Sequence, residues 1–375
     1  MRVEQYSLDA DSLYQPIKSI FESPDLVLVF ASPDVMRREG FYQQLCRVYS
    51  KSVLMGCSTA GEILDESVFE NTVVVNEISF DNARCEVVSA PVGGIKNSWA
   101  AGVSLAEKID HEGLRAVFVL SPGVNVNGSA IVNGMASILG ADLPISGGLA
   151  ADNADFVSTV CLTPHGVEAD HLSAVALYGD SLTIEHSSFG GWEAFGPRRK
   201  VTRSDGNILY ELDGKPALDL YKRYLGEYAR DLPSSALLFP LEMLSIEQRE
   251  EGVIRTILGI DEEEGSLTLA GDIDPDGYLR LMHTSIDGLI DGAGQAALHI
   301  GGEEQNRLAI LVSCVGRKLV MGDEVAAEVE AVKGILGEST TTTGYYSYGE
   351  ISPGEDVSGC FLHNQTMTLT VVSEN

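Results

Sequence analysis

A short phrase of small residues that ends in one carboxylate recurs four times along this 375-residue chain. It reads Gly-Cys-Ser-Thr-Ala-Gly-Glu-Ile at 56–63, Gly-Gly-Leu-Ala-Ala-Asp-Asn at 147–153, Leu-Ala-Gly-Asp-Ile at 269–273 and Tyr-Ser-Tyr-Gly-Glu-Ile at 346–351. The carboxylates are Glu62, Asp152, Asp272 and Glu350. Small residues let the backbone turn sharply or approach another segment closely. Four such corners predict one structural unit that is used four times.

Each corner follows a short apolar run that is typical of a buried strand. These runs are Leu-Val-Leu-Val-Phe at 26–30, Ala-Val-Phe-Val-Leu at 116–120, Ala-Leu-Leu-Phe at 236–239 and Leu-Ala-Ile-Leu-Val at 308–312. Helical patterns follow the first, second and fourth runs, at 35–49, 127–139 and 323–336, whereas only the short stretch 243–252 follows the third. Downstream of the corners, β-branched and aromatic residues predict strands at 72–80, 158–163, 278–283 and 367–372.

These repeats predict a mixed α/β fold of two similar halves. Each half would contain two strand-helix-strand-strand units, and the ligand site would lie between the halves, where pockets commonly form. We predict an N-terminal domain at 1–186, a bridging hairpin and helix at 187–234, and a C-terminal domain at 235–375. Within the bridge, Asp213-Gly214 predicts a turn, and Pro216 predicts the start of a helix at 217–225.

Charge and composition exclude several classes of partner. The chain has 55 acidic and 25 basic side chains and a net charge of −30, which repels phosphates, so we expect no nucleic-acid partner. The polar N-terminus lacks the pattern of a signal peptide, and no apolar run approaches the ~20 residues that span a bilayer. The six cysteines are scattered without a CxxC pair, as is typical of reduced thiols. We therefore expect a cytoplasmic protein without membrane insertion.

Several motifs match one protein family in sequence and spacing. They are Gly56-Cys57-Ser58-Thr59-Ala60-Gly61-Glu62, Gly191-Trp192 with Phe195-Gly196-Pro197, Glu211-Leu212-Asp213-Gly214-Lys215-Pro216-Ala217, and Gly349-Glu350 with Leu362-His363-Asn364-Gln365-Thr366. On these motifs the chain resembles the FIST family over nearly its whole length, with the family's N-terminal and C-terminal domains in order. The resemblance implies a cytosolic sensory module for a small ligand, linked to two-component or cyclic-dinucleotide signalling.

The resemblance also suggests a ligand and a partner. We find no appended kinase, receiver or cyclase segment, so the chain is similar to stand-alone family members that bind haem and sense nitric oxide. Such proteins regulate a separate histidine kinase or cyclic-dinucleotide signalling enzyme. Haem b would be held non-covalently, because the chain has no CxxCH motif. The alternative is a sensory module for an amino acid or another small carboxylate, without haem.

The resemblance and the residue chemistry together select candidate site residues. His363 is the expected haem axial ligand because it matches a family motif position and neutral imidazole is the usual ligand. Cys57 and Cys360 are the thiol alternatives. Arg198, in the densest basic cluster, would meet a carboxylate such as a haem propionate, and Trp192 would wall a flat pocket. The expected cofactor-binding residues are therefore His363, Trp192, Arg198, Cys57 and Glu350.

Enzyme signatures are weak in this chain. It contains neither GxxxxGK[ST] nor GxGxxG after a strand, and the first corner is one residue too long for a GxSxG nucleophile elbow. Cys57 or Ser58 at a sharp corner would still suit a nucleophile, so a hydrolase is a third alternative. Serine and cysteine are absent from the second corner, whereas the small residues and the carboxylate stay. We therefore interpret the corners as backbone devices and expect no enzyme.

Overall fold

The computed structural model of the chain describes residues 1–9, 17–244, 252–301, 306–354 and 358–375. Most of the predicted short stretch 243–252 lies outside these ranges. No helix within them is long and apolar enough to cross a membrane.

The strands and helices alternate in the first part of the chain and again near its end. In chain order the strands are β1 (Arg2–Asp9), β2 (Leu26–Ala31), β3 (Val53–Ser58), β4 (Glu62–Leu64), β5 (Ser67–Phe69), β6 (Thr72–Ser79), β7 (Arg84–Pro91), β8 (Leu114–Ser121), β9 (Ile145–Leu149), β10 (Cys161–Thr163), β11 (Gly166–Glu168), β12 (His171–Tyr178), β13 (Leu182–Phe189), β14 (Glu193–Asp205), β15 (Ile208–Leu212), β16 (Lys215–Pro216), β17 (Leu241–Leu244), β18 (Val253–Arg255), β19 (Ile257–Asp261), β20 (Ser266–Leu269), β21 (Tyr278–His283), β22 (Arg307–Cys314), β23 (Thr340–Ser347), β24 (Gly349–Pro353), β25 (Cys360–His363) and β26 (Met367–Glu374). The α-helices are α1 (Pro33–Met36), α2 (Phe41–Val48), α3 (Ser98–Ala106), α4 (Gly128–Leu139), α5 (Ala217–Leu225), α6 (Ile286–Leu298), α7 (Val315–Met321) and α8 (Ala326–Leu336), and short 3₁₀ turns lie at Ile95–Asn97, Gly226–Asp231, Ser234–Leu238 and Gly322–Glu324.

Three of the sheets share one core arrangement. Each contains a parallel pair of strands with an antiparallel strand on the far side of the first: β6-β2-β3, β12-β8-β9 and β26-β22-β23. The first strands of the pairs are the apolar runs predicted at 26–30, 116–120 and 308–312. Parallel strands covered on both faces need such continuous apolar runs, and β2 and β22 are buried along their whole length.

A glycine occupies the same place in each parallel pair. A Cβ atom on Gly56, Gly147 or Gly344 would lie 2.0, 1.9 or 1.8 Å from the carbonyl oxygen of the residue it faces on the neighbouring strand. Those facing residues are Val29, Val119 and Leu311. Only glycine permits this close approach, so the three positions are structural equivalents.

The three units exchange segments in a cycle. After each corner the chain passes from the sheet of its own unit to that of another unit. β4 of the first unit pairs with β23 of the third, β10 of the second pairs with β3 of the first, and β24 of the third pairs with β9 of the second. Backbone hydrogen bonds join the three corners: Ala60 N–H donates to Tyr346 O (2.9 Å), Ala151 N–H to Ser58 O (2.8 Å) and Tyr348 N–H to Leu149 O (3.3 Å). We call these three joined segments, residues 58–62, 149–153 and 346–350, the corner ring.

The fourth sheet is antiparallel and lies in the chain between the second and third units. Its order is β18-β17-β21-β14-β15-β20-β19, with β16 paired to β15, and α5 packs against it through Leu218 and Tyr221. The predicted hairpin and the helix at 217–225 are confirmed. They share one apolar core with strands from 241–281 rather than standing apart from them.

The mixed α/β class is confirmed, and the predicted unit occurs three times instead of four. The corner predicted at 269–273 follows β20 in the antiparallel sheet, and the run 236–239 forms a 3₁₀ turn instead of a strand. Pro233 begins that turn, because Ala236 N–H bonds to its carbonyl oxygen at 3.0 Å. The helical pattern at 35–49 is interrupted at Gly40, whose φ of 85° separates α1 from α2. The domain bounds stay a prediction.

Candidate functional site

Two corners hold their glutamates in the same way. The Glu62 carboxyl accepts hydrogen bonds from the hydroxyls of Thr59 (2.5 Å) and Thr72 (2.7 Å). Glu350 repeats this arrangement in the third unit, with Ser347 Oγ at 2.6 Å and Thr366 Oγ1 at 3.0 Å. Both glutamates are fully buried. Burial raises the pKa of Glu62 to about 7 and that of Glu350 to about 8. These carboxyls fasten the corners, which agrees with the interpretation of the corners as backbone devices.

The second corner carries an aspartate in a longer loop. Asp152 accepts backbone N–H bonds from Phe156 (2.9 Å), Val157 (2.8 Å) and Ser158 (2.6 Å), and the Tyr348 hydroxyl also donates to it. The Phe156 ring stacks on Tyr348 with centroids 4.2 Å apart. Asn153, Ala154 and Phe156 all have positive φ values, so this loop is wound around the Asp152 carboxylate.

The fourth carboxylate, Asp272, joins the antiparallel sheet to α4. Asn127 caps α4, since its side-chain oxygen accepts from Ala130 N–H at 3.0 Å. Its amide nitrogen lies 2.9 Å and 3.1 Å from the two Asp272 carboxylate oxygens. The Asn127 side chain therefore links the N-terminus of α4 to the Asp272 carboxylate. The small residues at 269–273 have a packing role, because a Cβ on Gly271 would lie 2.9 Å from Nε of Arg255.

Arg255 places a buried positive charge at this junction. Its side chain ends against backbone carbonyl oxygens, with Nη1 2.9 Å from Leu362 O and Nε 3.3 Å from Asp272 O. No carboxylate among the described residues forms an ion pair with it, and the residue is only 5% exposed. Burial lowers the pKa of Arg255 to about 10, against the opposing charge of Asp272. The guanidinium therefore remains charged at neutral pH without a direct counter-ion.

His363 lies beside Arg255 at the end of β25. Burial, reinforced by the Arg255 charge, lowers the pKa of His363 to about 4, so the imidazole is neutral at pH 7. The backbone carbonyl of Ser352 also faces the ring. The Nε2 atom is buried without a hydrogen-bond partner among the described residues. The ring therefore offers an uncommitted nitrogen.

The structure brings together only part of the predicted site. Glu350 is the cross-strand partner of His363, and Trp192 Nε1 donates to Gln365 O at 2.7 Å, two residues beyond His363. Arg198 is exposed on β14, in the antiparallel sheet. Cys57 is buried inside the core formed by the three similar sheets, directly across from Cys161.

Cys57 and Ser58 are poorly placed as nucleophiles. Both are fully buried, and burial raises the pKa of the Cys57 thiol well above its usual value. A nucleophilic thiol needs the opposite shift. The Ser58 hydroxyl accepts from Val160 N–H at 3.0 Å and so holds β10 in place. These contacts give both residues a structural role in the corner.

Sequence reasoning missed Arg255 and Asn127. A lone arginine within the strand-like stretch Val-Ile-Arg-Thr-Ile was a usable signal, because a charge in an apolar run needs a partner when it is buried. Asn127, the first residue of the helical pattern predicted at 127–139, was also a recognisable N-cap. Neither signal could show that both residues contact Asp272, because 128 positions separate 127 from 255 in the chain.

Comparison with known proteins gives two family matches. The family model of the FIST N domain matches residues 25–215, and that of the FIST C domain matches residues 217–353. The uncharacterized protein MJ1623 of Methanocaldococcus jannaschii is 28% identical in an alignment 204 residues long that covers 49% of this chain and 38% of that protein. A crystal structure of cyanuric acid hydrolase from A. caulinodans covers 100% of this chain and 99% of its own, with 9% identity and a TM-score of 0.39. A likeness at that score carries no argument about activity.

Proposed function

Because this chain belongs to the FIST family, whose domains are sensory domains of signal transduction, we propose that it senses a small carboxylate bound at Arg255. The observation that carries this proposal is a buried guanidinium without a carboxylate partner. The output would be regulation of a separate histidine kinase or cyclic-dinucleotide signalling enzyme, which the family resemblance suggests.

The electrostatics of Arg255 favour an anionic ligand. Moving a charged side chain out of water costs several kcal/mol unless another charge compensates it. The backbone carbonyls around Arg255 satisfy some of its N–H groups but supply only partial charges. A carboxylate would supply the full counter-charge and matches the planar guanidinium geometry.

The surroundings of Arg255 narrow the ligand class. Asp272 supplies a carboxylate, and the N-terminus of α4 lies next to it through Asn127. A ligand with both a carboxylate and an ammonium group would match Arg255 and Asp272 at once. This pairing favours an α-amino acid over a simple monocarboxylate.

Transmission requires a ligand that favours one conformation over another. Arg255 contacts β25 through Leu362 O, and β25 pairs with β24, which begins within the corner ring. A ligand that draws Arg255 toward itself would change its bond to β25. We propose this strand pair as the route from the ligand to the corner ring.

The test is a thermal-shift screen of amino acids and small carboxylates, followed by calorimetric titration of any compound that raises the unfolding midpoint. We expect Arg255→Gln to weaken binding of such a compound by at least about 30-fold, since removing one partner of a buried charge pair costs at least 2 kcal/mol. Arg203→Gln is the matched control, because Arg203 is half-exposed and pairs with Glu211 at the surface. Equal affinity in wild type and in a folded Arg255→Gln variant would refute the proposal.

Haem with nitric oxide as the sensed gas is the second candidate. The neutral His363 imidazole favours it, because its Nε2 atom is unpartnered and a backbone carbonyl faces the ring, as in many metal-ligating histidines. Two cavities in the described part of the chain each have a volume of ≈ 20 Å³, room for about one water, and His363 lines neither of them. Haem at His363 would need a wider space than either of these cavities provides.

An absorption spectrum separates the two candidates. Protein purified from haem-sufficient cells would show a Soret band that shifts with nitric oxide if haem b is bound, and His363→Ala would alter that band. A colourless protein that takes up no added haemin would exclude this candidate and leave the carboxylate proposal standing.

A further inference from the structure

Strand β14 bulges at the family motif that contains Phe195. It pairs with β21 through Phe195 opposite Leu281 and through Arg199 opposite Leu279. Three residues on β14 thus face one residue on β21, and Gly196 has a φ of 91°. Bulges of this kind locally end the pairing and are common beside binding sites. The bulge leaves Phe195 43% exposed, although its ring lies edge-on to Tyr224.

A cavity lies behind this bulge, between α5 and the antiparallel sheet. Its inner wall is apolar and includes Leu220 and Tyr221 from α5 and Leu267 from β20. Its volume is ≈ 20 Å³, so a larger occupant requires the Phe195 side chain to swing outward. That side chain is itself exposed, and it sits on the bulge.

Basic side chains and a hydroxyl mark the mouth of the cavity. Arg199, Arg280 and Tyr224 line it together with Phe195. Arg280 forms an ion pair with Glu242. Arg199 donates to the Tyr224 hydroxyl from Nη2 (2.7 Å) and Nε (3.3 Å) and to Asp213 from Nη1 (3.0 Å). A guanidinium has five N–H groups, so two remain for a further acceptor.

We propose that this cavity binds a monocarboxylate with a hydrocarbon body. The hydrocarbon would lie between α5 and the sheet, in the space that opens when Phe195 turns out. The carboxylate would take the remaining N–H groups of Arg199. Apolar walls with a few convergent polar groups are the usual composition of small-molecule sites. Arg255 does not line this cavity, so the inference stands independently of the sensory site proposed above.

Calorimetric titration with decanoate, decan-1-ol and acetate tests the proposal. We expect wild type to bind decanoate, to bind decan-1-ol more weakly and to leave acetate unbound. Arg199→Gln should weaken the binding of decanoate about tenfold, which is the effect of one charge-assisted hydrogen bond, and leave the affinity for decan-1-ol unchanged. Arg203→Gln, on the same strand but outside the cavity, should bind decanoate like wild type.

Two further variants separate this cavity from other sites. Ala217 is fully buried and lines the cavity, so Ala217→Leu should abolish binding of both decanoate and decan-1-ol. Arg255→Gln should leave decanoate binding intact. No decanoate binding to wild type, or equal binding to wild type and Arg199→Gln, would overturn the proposal even if Ala217→Leu failed to fold. Loss of decanoate binding in folded Arg255→Gln would also overturn the proposal, because it would place decanoate at Arg255 instead of in this cavity.

Discussion

Glu350 and His363 are cross-strand partners on β24 and β25, and burial shifts the pKa values of their side chains in opposite directions. Burial raises the pKa of the Glu350 carboxyl to about 8 and lowers the pKa of the His363 imidazole to about 4. At pH 7 both side chains are therefore mostly neutral. Where β24 and β25 join Arg255 to the corner ring, these two facing side chains therefore carry little charge at pH 7.

The raised pKa of Glu350 makes stability depend on pH. Its ordinary value is 4.5, so the folded state holds the proton more tightly than the unfolded chain does. This contribution to the free energy of unfolding is complete below pH 4.5 and is lost as pH rises through 8. We expect Glu350→Gln to be more stable than wild type at pH 9 by about 4 kcal/mol.

Urea unfolding at pH 5, 7 and 9 measures this difference. The exposed residue Glu338 provides the matched control, and Glu338→Gln should follow wild type at every pH. Glu62→Gln should show a smaller gain that also begins near pH 4.5 but levels off at lower pH, because the pKa of Glu62 is raised only to about 7. A parallel pH dependence in wild type and Glu350→Gln would contradict the burial argument.

The equivalent glycines of the three parallel pairs should tolerate no side chain. Gly56→Ala, Gly147→Ala and Gly344→Ala each place a Cβ about 2 Å from a carbonyl oxygen. We expect each to lower the free energy of unfolding by more than about 4 kcal/mol or to prevent folding. Gly334 on α8 is the control, since nothing lies within 4 Å of its added Cβ, and Gly334→Ala should stabilise by up to ~1 kcal/mol.

The thiols of the core should be unreactive in the native protein. Cys57 and Cys161 are fully buried, and burial raises the pKa of each. We expect iodoacetamide to leave both unmodified in mass spectra of the native protein and to modify them in urea. Half-buried Cys46 on α2 serves as the internal comparison. Rapid native labelling of Cys57 would revive the hydrolase alternative.

The loop after the second corner should depend on Asp152. Removing its carboxylate leaves three backbone N–H groups and the Tyr348 hydroxyl without their acceptor. We expect Asp152→Ala to lower the free energy of unfolding by about 2–4 kcal/mol and to make residues 153–158 sensitive to limited proteolysis. Asp155→Ala is the control within the same loop, because Asp155 is exposed. An unchanged cleavage pattern in Asp152→Ala would show that other contacts hold the loop.

The local sequence pattern predicted the first strands and the corners of the three units. Buried parallel strands need continuous apolar runs, and small residues are needed where two backbone segments approach each other closely. The pattern was misleading at 269–273. There the small residues make room for the Arg255 side chain, whereas in the three corners they lie where the chain passes from one sheet to another. The pattern also failed to predict which sheets exchange segments, since β4 and its partner β23 lie more than 270 positions apart. The contacts of both Arg255 and Asn127 with Asp272 could not be predicted for the same reason. Periodicity describes one segment, whereas these contacts depend on how distant segments pack.

The corner ring also limits how this protein can be divided. A fragment that ends at residue 186 would keep β10 on β3 but lose β23 and β24, the partners of β4 and β9. Unpaired strand edges are templates for association with other chains. The N-terminal part expressed alone should therefore aggregate, and adding the C-terminal part in trans should restore solubility by supplying the missing strands.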